Sequence, residues 1–564
     1  MTPRTALLWI IAASAFAQAP TPAQAAPSST GSIRGTVRDF ATGDPLPGAQ
    51  IRASVNPAKP VLQLVADEQG RYELLDVDPG RISLGATPRS DTQGTPFSIR
   101  VIALASGQNL TGVDIKIRAQ AEIAGKIIDE DNQPVPGVAV QLVSREYSLG
   151  AVRYIATGRA TTDDQGQYLL KSVDPGRSYL LLARTLRPIR SAISDAPADP
   201  KLRRPVIVPT YFPGTDSLAG AQPLVLAPSE RRENVDLRIT HSPSYCVDGV
   251  LQSGNGPEPL RFDLAESQPT AGAVRTLSVV VNWRLLTNGV VTGADGKFRV
   301  CDLHPGDYQL NVYSDVGSGT ADNLDAVPVF YGTAELKITD KDLDRLSVSA
   351  LPHVAVPGEV AWEGAAPDAP VAANLTIRLD PMLRVPRRVE VLTARSPLPG
   401  AFSFDGLILG DYALQVTGTP AATYLRDVTY GGKSILHEPL RAGSEVGNSA
   451  LRVILARDGG RISATVTDKD QQPVADAAVI LARADAGTEV AFSSVMTGGY
   501  TDQNGAWTSG LVQPGKYYVL ATSSAVDFSV ETIGKLWRAR TKAQEVEIGS
   551  NATVKVPLTP VAPE

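Results

Sequence analysis

Side chains that carry most protein chemistry are scarce in this 564-residue chain, which has 4 His, 2 Cys and 3 Met. So few histidines starve both zinc binding and acid/base catalysis of their commonest group. No run of lysine and arginine is long enough to neutralise a phosphate backbone, and the formal net charge is −6. Nucleic-acid binding therefore has no visible source. Also missing is any amphipathic pattern of helical period lasting about twelve residues or more. What is plentiful is turn chemistry: 49 Gly and 43 Pro together exceed the usual share of those two residues. A chain this long outgrows a single core, so several domains are expected.

The first residues read as an export signal. Arg4 supplies the positive end, and Ala6 to Phe16 form an apolar stretch too short to span a bilayer. Small residues suit cleavage after Ala17 or after Ala25, and Ala19 to Ser29 is a Pro-rich leader. No Cys follows the apolar stretch, which argues against a lipoprotein, and no second apolar run or sorting tail precedes Glu564. The expectation is a periplasmic or extracellular protein with no membrane span once the signal is removed. In that oxidising compartment Cys246 and Cys301 are expected to form one disulfide.

An internal repeat organises the rest. Asp-x-x-Gly-x-aromatic followed by Pro-Gly and a short apolar run occurs as DEQGRYELLDVDPGRISL, DDQGQYLLKSVDPGRSYLLL and ADGKFRVCDLHPGDYQLNV. Looser copies are PLPGAFSFDGLILGDYALQV and DQNGAWTSGLVQPGKYYVLA. The two glycines stay ten residues apart in all five, as Gly70 and Gly80, Gly166 and Gly176, Gly296 and Gly306, Gly400 and Gly410, Gly505 and Gly515. Successive copies lie about 100 to 130 residues apart, the size of a small domain and not of a solenoid turn.

Each copy has a physical reading. Asp accepts bonds from its own turn while Gly tolerates positive φ; then Tyr72, Leu74 and Val77 mark a half-buried strand. Pro79 and Gly80 turn the chain, and Ile82 and Leu84 begin the next strand, so a β-hairpin is expected. Tyr168, Phe298, Phe402 and Trp507 repeat the place of Tyr72, the mark of core packing. Upstream of each copy stands a strand, such as SIRGTVRD or AEIAGKIIDED, then a Pro/Gly turn and another strand. Near the end of each unit comes one more alternating run, from GVDIKI to TVKVPL. About seven short strands per 100 residues predict an all-β tandem array of five antiparallel Ig-like, transthyretin-like sandwiches. The expected units are 26–119, 120–241, 242–351, 352–457 and 458–564, after a 1–25 signal and leader. YFPGTDS, FYGTAEL and YGGKSIL read as added hairpins or wrapping loops, and Arg187 to Pro209, with its prolines, as a mobile loop.

The order of a strand with central Gly, a Pro/Gly turn, a strand, Asp-x-x-Gly-x-aromatic and Pro-Gly resembles the carboxypeptidase regulatory-like domain. It is also similar to the collagen-adhesin B-type repeat. The match is close over Ser32 to Leu84 and Glu122 to Leu182, and looser in the fourth unit, where Ser396 replaces the turn Asp and Leu409 the Pro. The resemblance implies a fold and an exported life, and no reaction. The His-x-x-Glu zinc motif of metallocarboxypeptidases is not matched by His241, His304, His353 or His437. Nor is the intramolecular Lys–Asn bond of some adhesin repeats expected, since Lys126 has only Asn234 as a marginal partner.

Remaining chemistry is thin. Asp129 to Asp131, Asp340 with Asp342 and Asp344, and Asp468 with Asp470 read as turn acids without a complete calcium loop. No catalytic residue, cofactor or metal is expected, and no Gly-x-Ser-x-Gly occurs. Trp283, Trp362 and Trp537 lie outside the repeated aromatic position and are the candidates for stacking on a sugar ring. The expected function is a non-catalytic exported rod that binds an envelope or extracellular protein or polysaccharide through repeated weak contacts. A carbohydrate-binding protein is the second reading, and a hydrolase of unrecognised type the remote third. The sequence names neither the partner nor the oligomeric state.

Overall fold

The fold was obtained as a computed structural model. It describes residues 29–40, 43–54, 61–87, 98–117, 120–148, 151–185, 191–254, 256–266, 290–314, 330–364, 371–381, 392–443, 449–523 and 526–562. The expected signal segment lies outside them.

The architecture is all-β, as the alternating pattern predicts. In the first unit β1 (Gly31–Asp39) pairs antiparallel with β4 (Arg71–Val77), and parallel with β7 (Asn109–Leu110) and β8 (Ile115–Ile117). The facing sheet runs β3 (Leu62–Val65), β2 (Gln50–Ser54), β5 (Gly80–Thr87), β6 (Ser98–Leu104), all antiparallel. Side chains of period two turn inward from both sheets: Ile33, Val37, Tyr72 and Leu74 meet Ile51, Ile82, Leu84 and Ile102 in one core.

The pattern recurs along the chain. β9 (Ala121–Ile128) pairs with β12 (Gln167–Val173), while β10 (Ala139–Ser148) lies between β11 (Ala151–Thr161) and β13 (Ser178–Arg184). The runs read as the end of each unit return alongside its first strand in parallel: Leu237–Arg238 on β9, Leu343–Ser349 on Tyr245–Ser253, Leu451–Ala456 on Val354–Trp362, and Thr553–Leu558 on Arg461–Val466. A core cluster fills each sheet pair.

The central Gly of the first strand has a steric cause. A Cβ on Gly35 would lie 1.8 Å from the Val113 carbonyl oxygen, and one on Gly125 2.0 Å from that of Val235. The same carbonyls accept bonds from the repeated tyrosines, Tyr72 at 2.6 Å and Tyr168 at 2.5 Å. Gly and Tyr thus pin the returning segment across the first strand, and burial drives both phenols well above their ordinary value.

Three expectations are corrected. The paired glycines do not mark a hairpin. β4 pairs with β1, whereas β5 pairs with β2 and β6 in the opposite sheet, so Pro79–Gly80 is an arch between sheets. The other four copies have the same arrangement. Local turn chemistry does not distinguish the two, because both need a reversal and only strand partners differ. Eight of the ten glycines have positive φ; Gly306 and Gly400 do not. Four residues before the second glycine, Asp76, Ser172, Asp302 and Gly406 also have positive φ, where the strand bulges before it leaves its sheet.

Second, residues 191–209 form no free loop. Ala192 joins the third core, and Val206–Ile207 pairs with His241–Ser242. Arg203 is buried, forked onto Asp342 at 2.7 Å through both terminal nitrogens, and it also donates to the carbonyls of Pro197, Ala198 and Ser244. Third, the units do not stand in a line. The fifth returns to the first, where Gln503 exchanges two hydrogen bonds with the Ala103 backbone and Arg100 pairs with Asp476 at 3.4 Å. It also packs on the second.

Candidate inter-unit interface

β10 and β11 are a much longer pair than β2 and β3, with 10 and 11 residues against 5 and 4. β13 covers β10 only as far as Ser144. The last residues of β10 therefore project as an arm whose backbone needs another partner. The fifth unit supplies it: Tyr147 donates its amide to the Phe528 carbonyl at 2.7 Å, and Glu146 bridges to Ser529.

The same unit carries the two α-helices among the described residues, α1 (Glu489–Val495) and α2 (Val530–Ala539). Thr488 caps α1 by accepting from the Ala491 amide, and Ser529 caps α2 by accepting from Thr532. Ile533 and Leu536 fall on one face of α2 and bury against Phe492, Ile480 and Leu520. Tyr147 and Val152 from the arm close this cluster.

Charge surrounds the apolar contact. Arg145 pairs with Glu531, the Tyr147 hydroxyl donates to Glu489 at 3.1 Å, and Arg177 lies 3.1 Å from Asp527 and 3.5 Å from Glu146. Burial raises the Asp527 carboxyl, but the Ser529 hydroxyl and the Arg177 charge outweigh it and leave it below the ordinary carboxylate range. Burial, followed by the Glu489 bond, pushes the Tyr147 phenol up to about 12.

The joint between the second and third units is more buried. Arg184, 2% exposed at its side chain, contacts Glu266 at 2.9 Å, and the other oxygen of that carboxylate lies 3.1 Å from Nε2 of His304. His304 sits on the arch of the third unit, and the Tyr308 hydroxyl donates to its carbonyl at 2.7 Å. Tyr412 and Tyr517 bond back to Ile408 and Gln513 at the corresponding place.

The singled-out residues fall as follows. Cys246 and Cys301 are disulfide-bonded across neighbouring strands and buried. Trp362 is half-buried and packs on the fourth core. Trp537 lies edge-on to Phe492, with the Arg540 guanidinium 3.3 Å from its ring centre. Trp283 lies outside the described residues. The acids behave as turn residues or ion-pair partners. Asp129 accepts the amides of Asp131 and Gln133, Asp468 those of Asp470 and Gln472, and Asp342 holds Arg203. Chiefly through that Arg203 contact, Asp342 is held below the ordinary carboxylate range. Among the described residues no group of three metal-type ligands converges.

Sequence reasoning missed Arg145, Arg177, Arg184 and Arg203. One signal was present: Arg184 ends the apolar strand SYLLLAR, where an unpaired charge would be costly to bury.

Sheet pairs of this topology define an all-β, Ig-like modular protein. Residues 32–118 match the family model of the carboxypeptidase regulatory-like domain, the family that the repeat resembles. Solved structures similar to the chain include the Streptococcal ancillary pilin, at 14% identity over 57% of this chain and 99% of that one with a TM-score of 0.18. The Bacillus anthracis TIE protein follows at 9% identity, covering 93% and 73% with a TM-score of 0.15. BcpA, the major pilin subunit of Bacillus cereus, has 11% identity over 56% and 99%, also at 0.15. At such scores the likeness carries no arrangement or role to this chain. No curated protein matches it.

Proposed function

We propose that the chain is an exported, non-catalytic binding or structural protein of the cell envelope. Its sandwich units, 26–119, 120–241, 242–351, 352–457 and 458–564, act as one closed assembly presenting loops to a protein or polysaccharide partner. One observation carries this reading: ion pairs join one part of the chain to another, two of them through buried arginines, Arg184 and Arg203. Arg145 and Arg177 hold the fifth unit, Arg184 the third, and Arg203 the connector. Repeated aromatic and glycine positions serve the cores and arches.

Small-angle scattering on the purified mature chain tests it. Five sandwiches in line should span roughly 150 to 200 Å, given strands of about 20 Å plus loops. The closed assembly is expected to be far shorter, and an extended particle would refute it. A hydrolytic activity of the same preparation, abolished by one point substitution, would refute the non-catalytic role.

A further inference from the structure

Both ring nitrogens of His304 face oxygen acceptors. Nδ1 is 2.6 Å from the Pro305 carbonyl oxygen, and Nε2 is 3.1 Å from Oε1 of Glu266. A neutral imidazole has one N–H and one lone pair, so either tautomer sets a lone pair against an oxygen. The imidazolium, with two donors, satisfies both contacts. The ring is largely buried, 16% exposed, and a polar mismatch in such a setting is costly.

The groups around the ring come from different units. Glu266 and the Pro305 carbonyl belong to the third unit, as do Asp307 and Tyr308, whose ring centre is 5.6 Å away. From the second unit come Arg184, on the far oxygen of Glu266, and Tyr211, near the same carboxylate. We propose that His304 is a proton-operated switch on the joint between the second and third units, in which the bound proton braces the arch of the third unit and loosens its hold on Arg184. The proton forms an N–H bond at the imidazole and is taken from water, with no other bond made or broken.

The sign follows from where each influence originates. Burial opposes the imidazolium, but the Glu266 bond and charge and the Pro305 carbonyl raise the His304 pKa above its ordinary value, and all of these partners lie within the third unit. The Arg184 charge, the influence from the second unit, works against protonation. Coupling is reciprocal, so the proton disfavours docking of Arg184 by the factor by which Arg184 disfavours the proton. A raised pKa means that the third unit draws stability from His304 below the ordinary imidazole range and loses it as pH rises through the folded value. The joint to the second unit responds oppositely and tightens as the proton leaves.

The test follows the imidazole Cε1–H resonances of the full-length chain by NMR against pH, with His304→Gln assigning the signal. The midpoint is expected above about 6.5, the ordinary histidine value. In Arg184→Met the proton affinity should rise about threefold or more, whereas Arg184→Lys, which keeps the charge, should stay near the parent. Should Arg184→Met fail to fold, Glu266→Gln gives the independent arm, with a midpoint below that of the parent. A parent midpoint at or below the ordinary value overturns the proposal. So does an unchanged or lowered midpoint in Arg184→Met, an equal rise in Arg184→Lys, or no fall in Glu266→Gln.

Discussion

The second and third strands of the first unit, and their counterparts in the second, occupy the same place in the same sandwich and meet different fates. β3 ends its sheet as a short edge strand, with Leu62 and Val65 exposed. β10 and β11 run on past the core, and Tyr147 at the end of β10 is buried under the helices of the fifth unit. A repeat therefore fixes the sandwich but not the assembly. Lengthening one strand pair, together with a helical layer some 340 residues away, turns a string of like units into a closed chain. Short edges avoid unwanted pairing and long ones invite it, so the partner of a long edge is its consequence.

The strongest way to break this contrast is Tyr147→Ala. Truncating a large aromatic at the end of the arm should cost about 3 kcal/mol of docking, since aromatic-to-alanine changes in packed sites cost about that or more. The two units themselves should remain folded. The measurement is small-angle scattering beside circular dichroism: an enlarged particle with unchanged β signal is expected, and an unchanged particle would show that the arm does not hold the assembly.

A smaller effect is expected from Arg145→Ala. Its pair with Glu531 is about a third exposed on each side (37% and 32%), so solvent screening leaves it worth less than about 1 kcal/mol. Adding salt to the parent should reproduce most of that loss. A cost well above this, or one insensitive to salt in thermal unfolding, would mean that charge and not the apolar cluster dominates the joint. The smallest effect sharpens the other half of the comparison. Val65→Thr, on the exposed edge of the first unit, should change stability by no more than about 0.5 kcal/mol. A larger loss in a thermal melt would reveal that β3 is covered by something other than solvent.

Legibility divides along the same line. Tyr72 and Leu74 read as the inward positions of a half-buried strand because such a strand buries every second side chain, and both are buried. The disulfide was legible because compartment and count left one pairing. Pro79–Gly80 reports a reversal and not the sheet that receives the next strand, so the arch looks like a hairpin in the sequence. The bulge at Asp76, Ser172, Asp302 and Gly406 was not read, because only one of the four residues is a glycine. The prolines around Arg203 predict a loop, and the carboxylate that captures it lies 139 residues away.

The sequence by itself determined the sandwich class, the register of each core face, and the recurrence of the unit. Those properties depend on neighbours within a few residues and on which face of a strand is apolar. The tertiary structure alone decided the arches between sheets, the closure of the fifth unit on the first two, and the sharing of Glu266 by Arg184 and His304. Each depends on groups far apart in the chain, brought together by packed cores, and no local pattern encodes a partner at that distance.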